Sequence, residues 1–287
     1  TRYPLKLVRC RVCNHLHLSH IASRETLFVH YLYRSGTSKT LAAYFEWLSN
    51  LVIEDSGNKR DGTVIEIACN DGSQLDEFAK RGWRTFGVDP AANIAPIAQK
   101  KGHNVKIGFW DEHIQLESFP QGDALTAIVA QNVFAHVPNP VGFLKACAAI
   151  MGSSTILYIQ TSQCNMHQLG QFDTAYHEHI SFFTGHSFLK ASELAGLYIT
   201  SFKTTPIHGT SCLVTMKLPL LSTSDARRKT ISETLQERLD SENDVGITTD
   251  FFYERYAARA QVTRTWIIEQ VINLRKRGYN VGAYGAA

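Results

Sequence analysis

The sequence predicts an α/β fold in which a parallel sheet carries helices on both faces. Short apolar, β-rich runs alternate with segments of helical spacing from Thr63 to Gln160. The first unit, Thr63 to Asp89, reads strand, Gly-containing turn, helix, strand and terminal acid, as in a nucleotide-binding βαβ unit. The chain has 287 residues and is 44% hydrophobic, enough for one large domain or two smaller ones.

Tyr3 to Leu7 reads as a strand already under way, so the chain is expected to be a piece of a longer protein. Cys10-Arg11-Val12-Cys13 follows. C-x-x-C on a tight turn builds half of a tetrahedral zinc site, so Cys10 and Cys13 are candidate ligands. His15, His17, His20 and His30 lack knuckle spacing, which puts the other two ligands outside this chain. Two free thiols or a redox pair is the alternative. Further on, Ser38 or Thr37 can cap a helix over Leu41 to Val52. Tyr33 and Ser35 stand at its entrance, where they line a pocket or staple the turn. Asp55 to Gly62 is polar and reads as a loop.

The βαβ unit comes next. Thr63 to Ala68 is a strand, Cys69-Asn70-Asp71-Gly72 turns, Ser73 is expected to cap a helix over Gln74 to Arg81, and Trp83 to Val88 ends on Asp89. Backbone N–H groups at such a turn approach a ligand, and the acid takes ribose hydroxyls. Only Gly72 lies in the turn. The absent G-x-G-x-x-G argues against a nicotinamide dinucleotide, whose pyrophosphate needs close backbone approach. A zwitterionic nucleoside without phosphate makes no such demand, and S-adenosylmethionine is the leading example. The plain alternative is an ordinary turn with Asp89 as a solvated acid.

Ile94 to Lys101 is helical, Asn104 to Ile107 a third strand, and Ala124 to Ala130 a fourth that ends in Gln131-Asn132. Pro138 to Met151 is a helix with Pro140 in its first turn, and Ser154 to Gln160 is the fifth strand. Ligands of such sheets sit at the carboxyl ends of the strands: Cys69–Gly72, Asp89, Gln131–His136 and Thr161–Ser162.

Tyr176-His177-Glu178-His179 then stands beside Phe182-Phe183. A His next to an acid and a Tyr is a good general base. The carboxylate orients the imidazole, and the Tyr polarises a carbonyl. The alternative is a set of satisfied polar groups, one His capping the helix Ser187 to Ala195. H-E-x-x-H is absent, so a zincin reading fails. Leu197 to Thr205 and Cys212 to Leu218 alternate as strands joined at His208-Gly209-Thr210-Ser211. They complete a seven-stranded sheet. Thr223 to Asn243 and Asp250 to Lys276 are long and helical, and Tyr279 to Ala287 reads as a strand entering a Gly-rich turn.

The net charge of +3, with 19% charged residues, is too weak for a nucleic-acid partner. No apolar run is long enough for a membrane span. Six irregularly spaced cysteines suggest reduced thiols and a cytoplasmic location.

Several of these motifs, in this order, resemble the three-domain S-adenosylmethionine-dependent C-methyltransferases that methylate C-3 of nucleotide-linked 4-keto-deoxysugars. Cys10-x-x-Cys13 resembles the second half of that family's N-terminal zinc site. Tyr31-x-Tyr33-x-Ser35-Gly36-Thr37-Ser38 is similar to its substrate lid. Glu66-Ile67-Ala68-Cys69-Asn70-Asp71-Gly72 is similar to its cofactor loop, where a Gly is common at Ala68. Gln131-Asn132-Val133-Phe134-Ala135-His136-Val137-Pro138 resembles the motif after its fourth strand. Gln171-Phe172-Asp173-Thr174-Ala175-Tyr176-His177-Glu178-His179 is the most specific match. His208-Gly209-Thr210-Ser211 resembles a His-Gly-Gly-Ser turn, and Gly282 to Ala287 looks like the opening of the third domain.

The resemblance implies a class I methyltransferase, Rossmann-like seven-stranded sheet. It implies a zinc-binding remnant and lid helix over 1–55, a cofactor domain over 56–220, and a helical arm leading to a truncated domain over 221–287. Glu66, Ala68, Asn70, Gly72, Asp89, Gln131 and Asn132 would hold S-adenosylmethionine. Tyr33, Ser35 and His208 would hold a small-molecule substrate, a nucleotide-linked sugar. His179 would be the base that removes the proton α to the ketone, with Tyr176, Glu178 and His136 around it, and the zinc would be structural. Rival readings are methyl transfer to an oxygen or an acyl-carrier-bound carbon, a nicotinamide-dependent oxidoreductase, and a zinc-anchored interaction module.

Overall fold

The computed structural model describes residues 3–163, 165–219 and 231–283. In chain order the elements are β1 (Leu7–Arg9), β2 (Leu16–Leu18), α1 (Arg24–Phe28), α2 (Lys39–Asp55), β3 (Thr63–Ile67), α3 (Ser73–Ala79) and β4 (Arg84–Asp89). Then come α4 (Ala95–Lys100), β5 (Asn104–Ile107), β6 (Ala127–Gln131), α5 (Pro140–Ile150), β7 (Ile156–Thr161), α6 (Met166–Leu169) and β8 (Ser181–Phe182). Last are α7 (Gly185–Leu194), β9 (Tyr198–Thr205), β10 (Ser211–Lys217), α8 (Glu233–Asp244) and α9 (Asp250–Lys276).

Seven strands form one sheet in the order β5-β4-β3-β6-β7-β10-β9. All run parallel except β10, which is antiparallel to β7 and β9. This is the Rossmann-like α/β fold expected. Every residue of β3, β6 and β7 is buried, because helices cover both faces of a parallel sheet. The alternation within β3 sorts its side chains. Val64 joins Leu48, Val52, Leu75 and Phe78 on one face, while Ile65 and Ile67 join Phe134, Phe143 and Phe188 on the other. Each fully buried apolar side chain of this size stabilises by roughly 1.5–3 kcal/mol. Helix α2 starts at Ser38, whose hydroxyl accepts from Leu41 N–H at 3.3 Å, and lays Leu41, Phe45, Leu48 and Val52 on the sheet. The chain runs outward from β3 to β5 and then crosses back to β6, so the crevice opens between β3 and β6.

A second, three-stranded antiparallel sheet has the order β1-β2-β8. Leu16 pairs with Phe182 there, so the N-terminal segment is sewn to the residues just after the Tyr-His-Glu-His run. Nothing in the spacing of either stretch announced this pairing, and a two-residue strand leaves no periodicity to read.

Several boundaries differ from expectation. The first strand begins at Leu7, not at Tyr3. Ser73 does not cap α3. Gly72 holds the cap position at φ 76°, and Ser73 instead donates its hydroxyl to Asp71 at 2.6 Å. A side chain at Gly72 would also meet Ala98 and His103 within 3 Å. Between Gln163 and Thr184, where no element is assigned from the sequence, the described residues form α6 and β8. Helix α8 begins at Glu233; residues 223–230 lie outside the described residues. Tyr279 to Val281 form no strand, since no neighbouring strand pairs with them among the described residues, and 284–287 also lie outside.

Helix α9 is held at its start. Tyr253 and Tyr256 pack around His167 with ring centroids 6.1 and 6.0 Å away, and Tyr256 lies 4.9 Å from Phe172. Farther along, Val262, Trp266 and Ile272 are exposed.

Two stability outcomes follow. Ala68 sits at φ 60°, where a Cβ costs ~1–2 kcal/mol, offset by the ~0.4–1 kcal/mol that glycine loses through its freer unfolded chain. Ala68→Gly is therefore expected to stabilise the fold by up to ~1.5 kcal/mol, read as a higher urea midpoint, and a lower midpoint would contradict the strain. His167 is 3% exposed, neither ring nitrogen has a partner, and burial lowers its pKa to about 3. The unfolded chain binds a proton near pH 6.5 that the fold refuses, so His167 makes stability fall as pH drops from about 6.5 toward 3. His167→Phe is expected to flatten that fall between pH 7 and 5, read as urea midpoints. Parallel pH slopes would contradict it.

Candidate active site

A cavity of about 500 Å³ opens at the carboxyl ends of β3, β4, β6 and β7. Of the residues singled out in the sequence, Glu66, Ala68, Asn70, Asp89, Gln131, Asn132, Tyr33, Ser35, His208, His136, Tyr176 and His179 all line it. Gly72 and Glu178 do not line it, and Cys10 and Cys13 lie elsewhere.

The turn after β3 is tied on both sides. Asp89 accepts the N–H groups of Asn70 and Ala91, each at 2.8 Å. Its carboxyl is nonetheless raised above the usual range, because burial outweighs those bonds. Each oxygen keeps a lone pair for a ligand hydroxyl. Asn70 faces the other way. Its carbonyl oxygen accepts from Ser35 N–H at 3.0 Å, and its amide donates to the Tyr33 carbonyl at 3.0 Å. Asp71 accepts from Gly36 N–H at 3.1 Å. A side chain at Gly36 would come within 2.8 Å of Ser73 and Asp71, so the strap over 33–37 can lie this close only with glycine there. At its other end Asn93 clamps Tyr31, accepting its N–H at 3.0 Å and donating to its carbonyl at 2.7 Å.

The floor is acidic. Glu66 is 4% exposed and one carboxylate oxygen has no partner. Burial, then the charges of Asp89 and Asp71, push its pKa well up. Gln131 donates to Gln74 at 3.0 Å and leaves its own carbonyl oxygen unpartnered. Arg24 reaches the cavity but is engaged by Asp111 at 2.7 Å and Glu25 at 3.1 Å. Orphaned buried acceptors beside carboxylates suit a ligand that brings N–H and O–H donors and positive charge. S-adenosylmethionine carries an ammonium, a sulfonium and ribose hydroxyls, so these residues fit it.

Opposite the floor stands His179. Its Nδ1 is 2.7 Å from the Thr174 carbonyl, which can only accept, so Nδ1 carries the hydrogen. Nε2 keeps its lone pair, with the Tyr176 hydroxyl 3.1 Å away. Burial, then the neighbouring His136, lowers the His179 pKa to about 4. The imidazole is neutral at pH 7. His136 packs 5.0 Å from it, centroid to centroid, and donates from Nδ1 to the Glu178 carbonyl at 2.8 Å.

The role expected of Glu178 needs correction. Its carboxylate makes no hydrogen bond to His179 and pairs with the Tyr31 hydroxyl, while burial raises its pKa. The Thr174 carbonyl orients the ring instead. Adjacent residues in an irregular segment need not point the same way, and here Glu178 and His179 do not. Thr174, Tyr31 and Gln163, whose amide also reaches His179, were missed. A backbone carbonyl has no signature in sequence, but Tyr31 had one, since it opens the lid motif.

Cys10 and Cys13 flank a turn closed by Asn14 N–H to the Cys10 carbonyl at 2.9 Å. The N–H groups of Cys13 and Val12 lower the Cys10 thiol, and burial raises that of Cys13. Among the described residues no third His, Cys, Asp or Glu completes a metal-holding group. Cys69 and Cys147 are buried free thiols as well. No described helix is long and apolar enough to cross a membrane.

A family model for a methyltransferase domain matches residues 37–201, more than half of the chain. A second, for a C-methyltransferase C-terminal domain, matches 206–287. C-methyltransferase NovU of Streptomyces niveus is 28% identical over 288 residues, covering 100% of this chain and 67% of the relative. A ubiquinone biosynthesis O-methyltransferase of Serratia proteamaculans (strain 568) is 20% identical over 118 residues, 40% of this chain and 49% of the relative. An O-methyltransferase candidate from Nostoc punctiforme PCC 73102 shares the fold, with a TM-score of 0.51 at 14% identity over 62% of this chain and 56% of that one. The chain belongs to the methyltransferase-domain family and is an S-adenosylmethionine-dependent methyltransferase.

Proposed function

We propose that this methyltransferase acts on carbon, with His179 as the base that removes a proton α to a ketone, and that the acceptor is a nucleotide-linked keto-deoxysugar. The observation that carries the reading is the neutral His179 in the cavity wall, with Nδ1–H held by a carbonyl and Nε2 unprotonated. A neutral imidazole takes a hydroxyl proton as well as that of a carbon acid, so the choice of carbon is supported by the C-methyltransferase C-terminal domain model over 206–287. The name of the Streptomyces niveus relative agrees with transfer to carbon.

The division of labour follows from chemistry. S-adenosylmethionine supplies an electrophilic methyl group on a sulfonium. Glu66, Asp89, Asn70, Gln131 and Asn132 would hold it, with Ala68 giving close backbone approach. His179 would take the α-proton at Nε2. Its pKa of about 4 makes it a weak base, so the enolate oxygen has to be stabilised at the same time. The Tyr176 hydroxyl beside Nε2 is placed to donate to that oxygen. His136, His208, Tyr33 and Ser35 would enclose the acceptor, and excluding water strengthens each of these contacts. Glu178 would act through Tyr31, holding the strap, and not through the base.

We also read Cys10 and Cys13 as half of a structural zinc site whose other ligands come from outside this chain, with no part in transfer. The 1–55, 56–220 and 221–287 division is kept as a working proposal.

His179→Ala is expected to bind S-adenosylhomocysteine as the wild type does, and to lose transfer to a nucleoside-diphosphate-linked 4-keto-deoxysugar by ~10²–10⁴-fold. Near wild-type turnover would overturn the assignment.

A further inference from the structure

Gln163 follows β7 after one residue and is 2% exposed. Its backbone lies at φ 67°, a left-handed conformation that glycine or asparagine adopts more easily. Here the chain keeps a longer side chain, and that side chain reaches the base. The Gln163 amide nitrogen is 2.8 Å from Nδ1 and 3.1 Å from Nε2 of His179. Its carbonyl oxygen is 3.5 Å from the Thr161 hydroxyl, which can accept from the amide as well as donate to it. Because Nδ1 already carries a hydrogen toward Thr174, Nε2 is the ring nitrogen left to accept from the amide N–H, and Gln163 shares that one lone pair with the Tyr176 hydroxyl.

We propose that Gln163 is a positioning residue for His179, holding Nε2 in its lone-pair state until the acceptor enters. This rests on the reading of His179 as the base. Once Nε2 is protonated, the N–H of Gln163 faces another N–H. A half-turn of the amide then presents its oxygen to the new donor. The same side chain thus serves both protonation states, which a fixed donor or a fixed acceptor cannot. The Tyr176 hydroxyl, 3.1 Å from the same nitrogen, can likewise donate or accept.

The test is NMR of the protein labelled with ¹⁵N-histidine, which reads the tautomer and titration of His179, alongside kinetics. Gln163→Glu places a carboxylate against the ring and is expected to raise the His179 midpoint by about one pH unit or more from about 4, tenfold more imidazolium at a given pH. Gln163→Met keeps the length and removes the hydrogen bonds. It is expected to leave the midpoint at or below the wild-type value, and to lower kcat by roughly 10²-fold with KM little changed on a nucleoside-diphosphate-linked 4-keto-deoxysugar. A wild-type midpoint in Gln163→Glu, or wild-type kcat in Gln163→Met, overturns the proposal. Failure of the base reading looks different: His179→Ala would turn over normally while Gln163→Glu still shifts the midpoint.

Discussion

The site depends on three side chains in the turn after β3 and at the end of β4. Asp89 fixes the turn from below by accepting two N–H groups. Asn70 and Asp71 then fix the strap above it by reaching back to the backbone of residues 33–36. Burial of this carboxyl outweighs the two bonds it accepts, as its raised pKa shows, yet removing it would leave both backbone donors orphaned. The left-handed conformations of Ala68 and Asn70 persist because the surrounding bonds over-determine them. One short turn therefore sets the cofactor floor and the position of the lid together.

Charge divides the cavity. Among the described residues its floor holds carboxyls, with Arg24 already engaged by Asp111 and Glu25, and its far wall holds neutral histidines whose pKa values burial depresses. Such a surface suits a cationic donor on one side and, in the proposed reaction, a neutral carbon acid on the other. The small sheet helps fix the geometry. Pairing β2 with β8 anchors the chain two residues beyond His179, and α9 packs on Phe172 near the Thr174 carbonyl that orients the ring. The catalytic wall is thus braced by segments far away in sequence.

How much the sequence discloses depends on the range of the interaction. Strands β3 to β7 and their helices were legible, because apolar periodicity and strand length are local properties. The crevice was legible too, since it follows from the order of strands and helices. Asp89 and Tyr176 could be singled out by residue type and position. What stayed hidden was set across distance. The β2–β8 pairing joins residues over 160 positions apart, and the carbonyl of Thr174 looks like any other. Gln163 draws its significance from a ring 16 positions later. Glu178 was misjudged because sequence adjacency was taken for contact.

The most direct test of the central claim is solvent exchange at the acceptor carbon. The protein, saturated with S-adenosylhomocysteine so that no methyl can move, is incubated in D₂O with a nucleoside-diphosphate-linked 4-keto-deoxysugar, and deuterium is located by NMR. The account predicts deuterium at the carbon α to the ketone with the wild type and none above background with His179→Ala. Equal exchange by both proteins, or none by a wild type that still methylates the sugar, would contradict a His179-based carbanion mechanism.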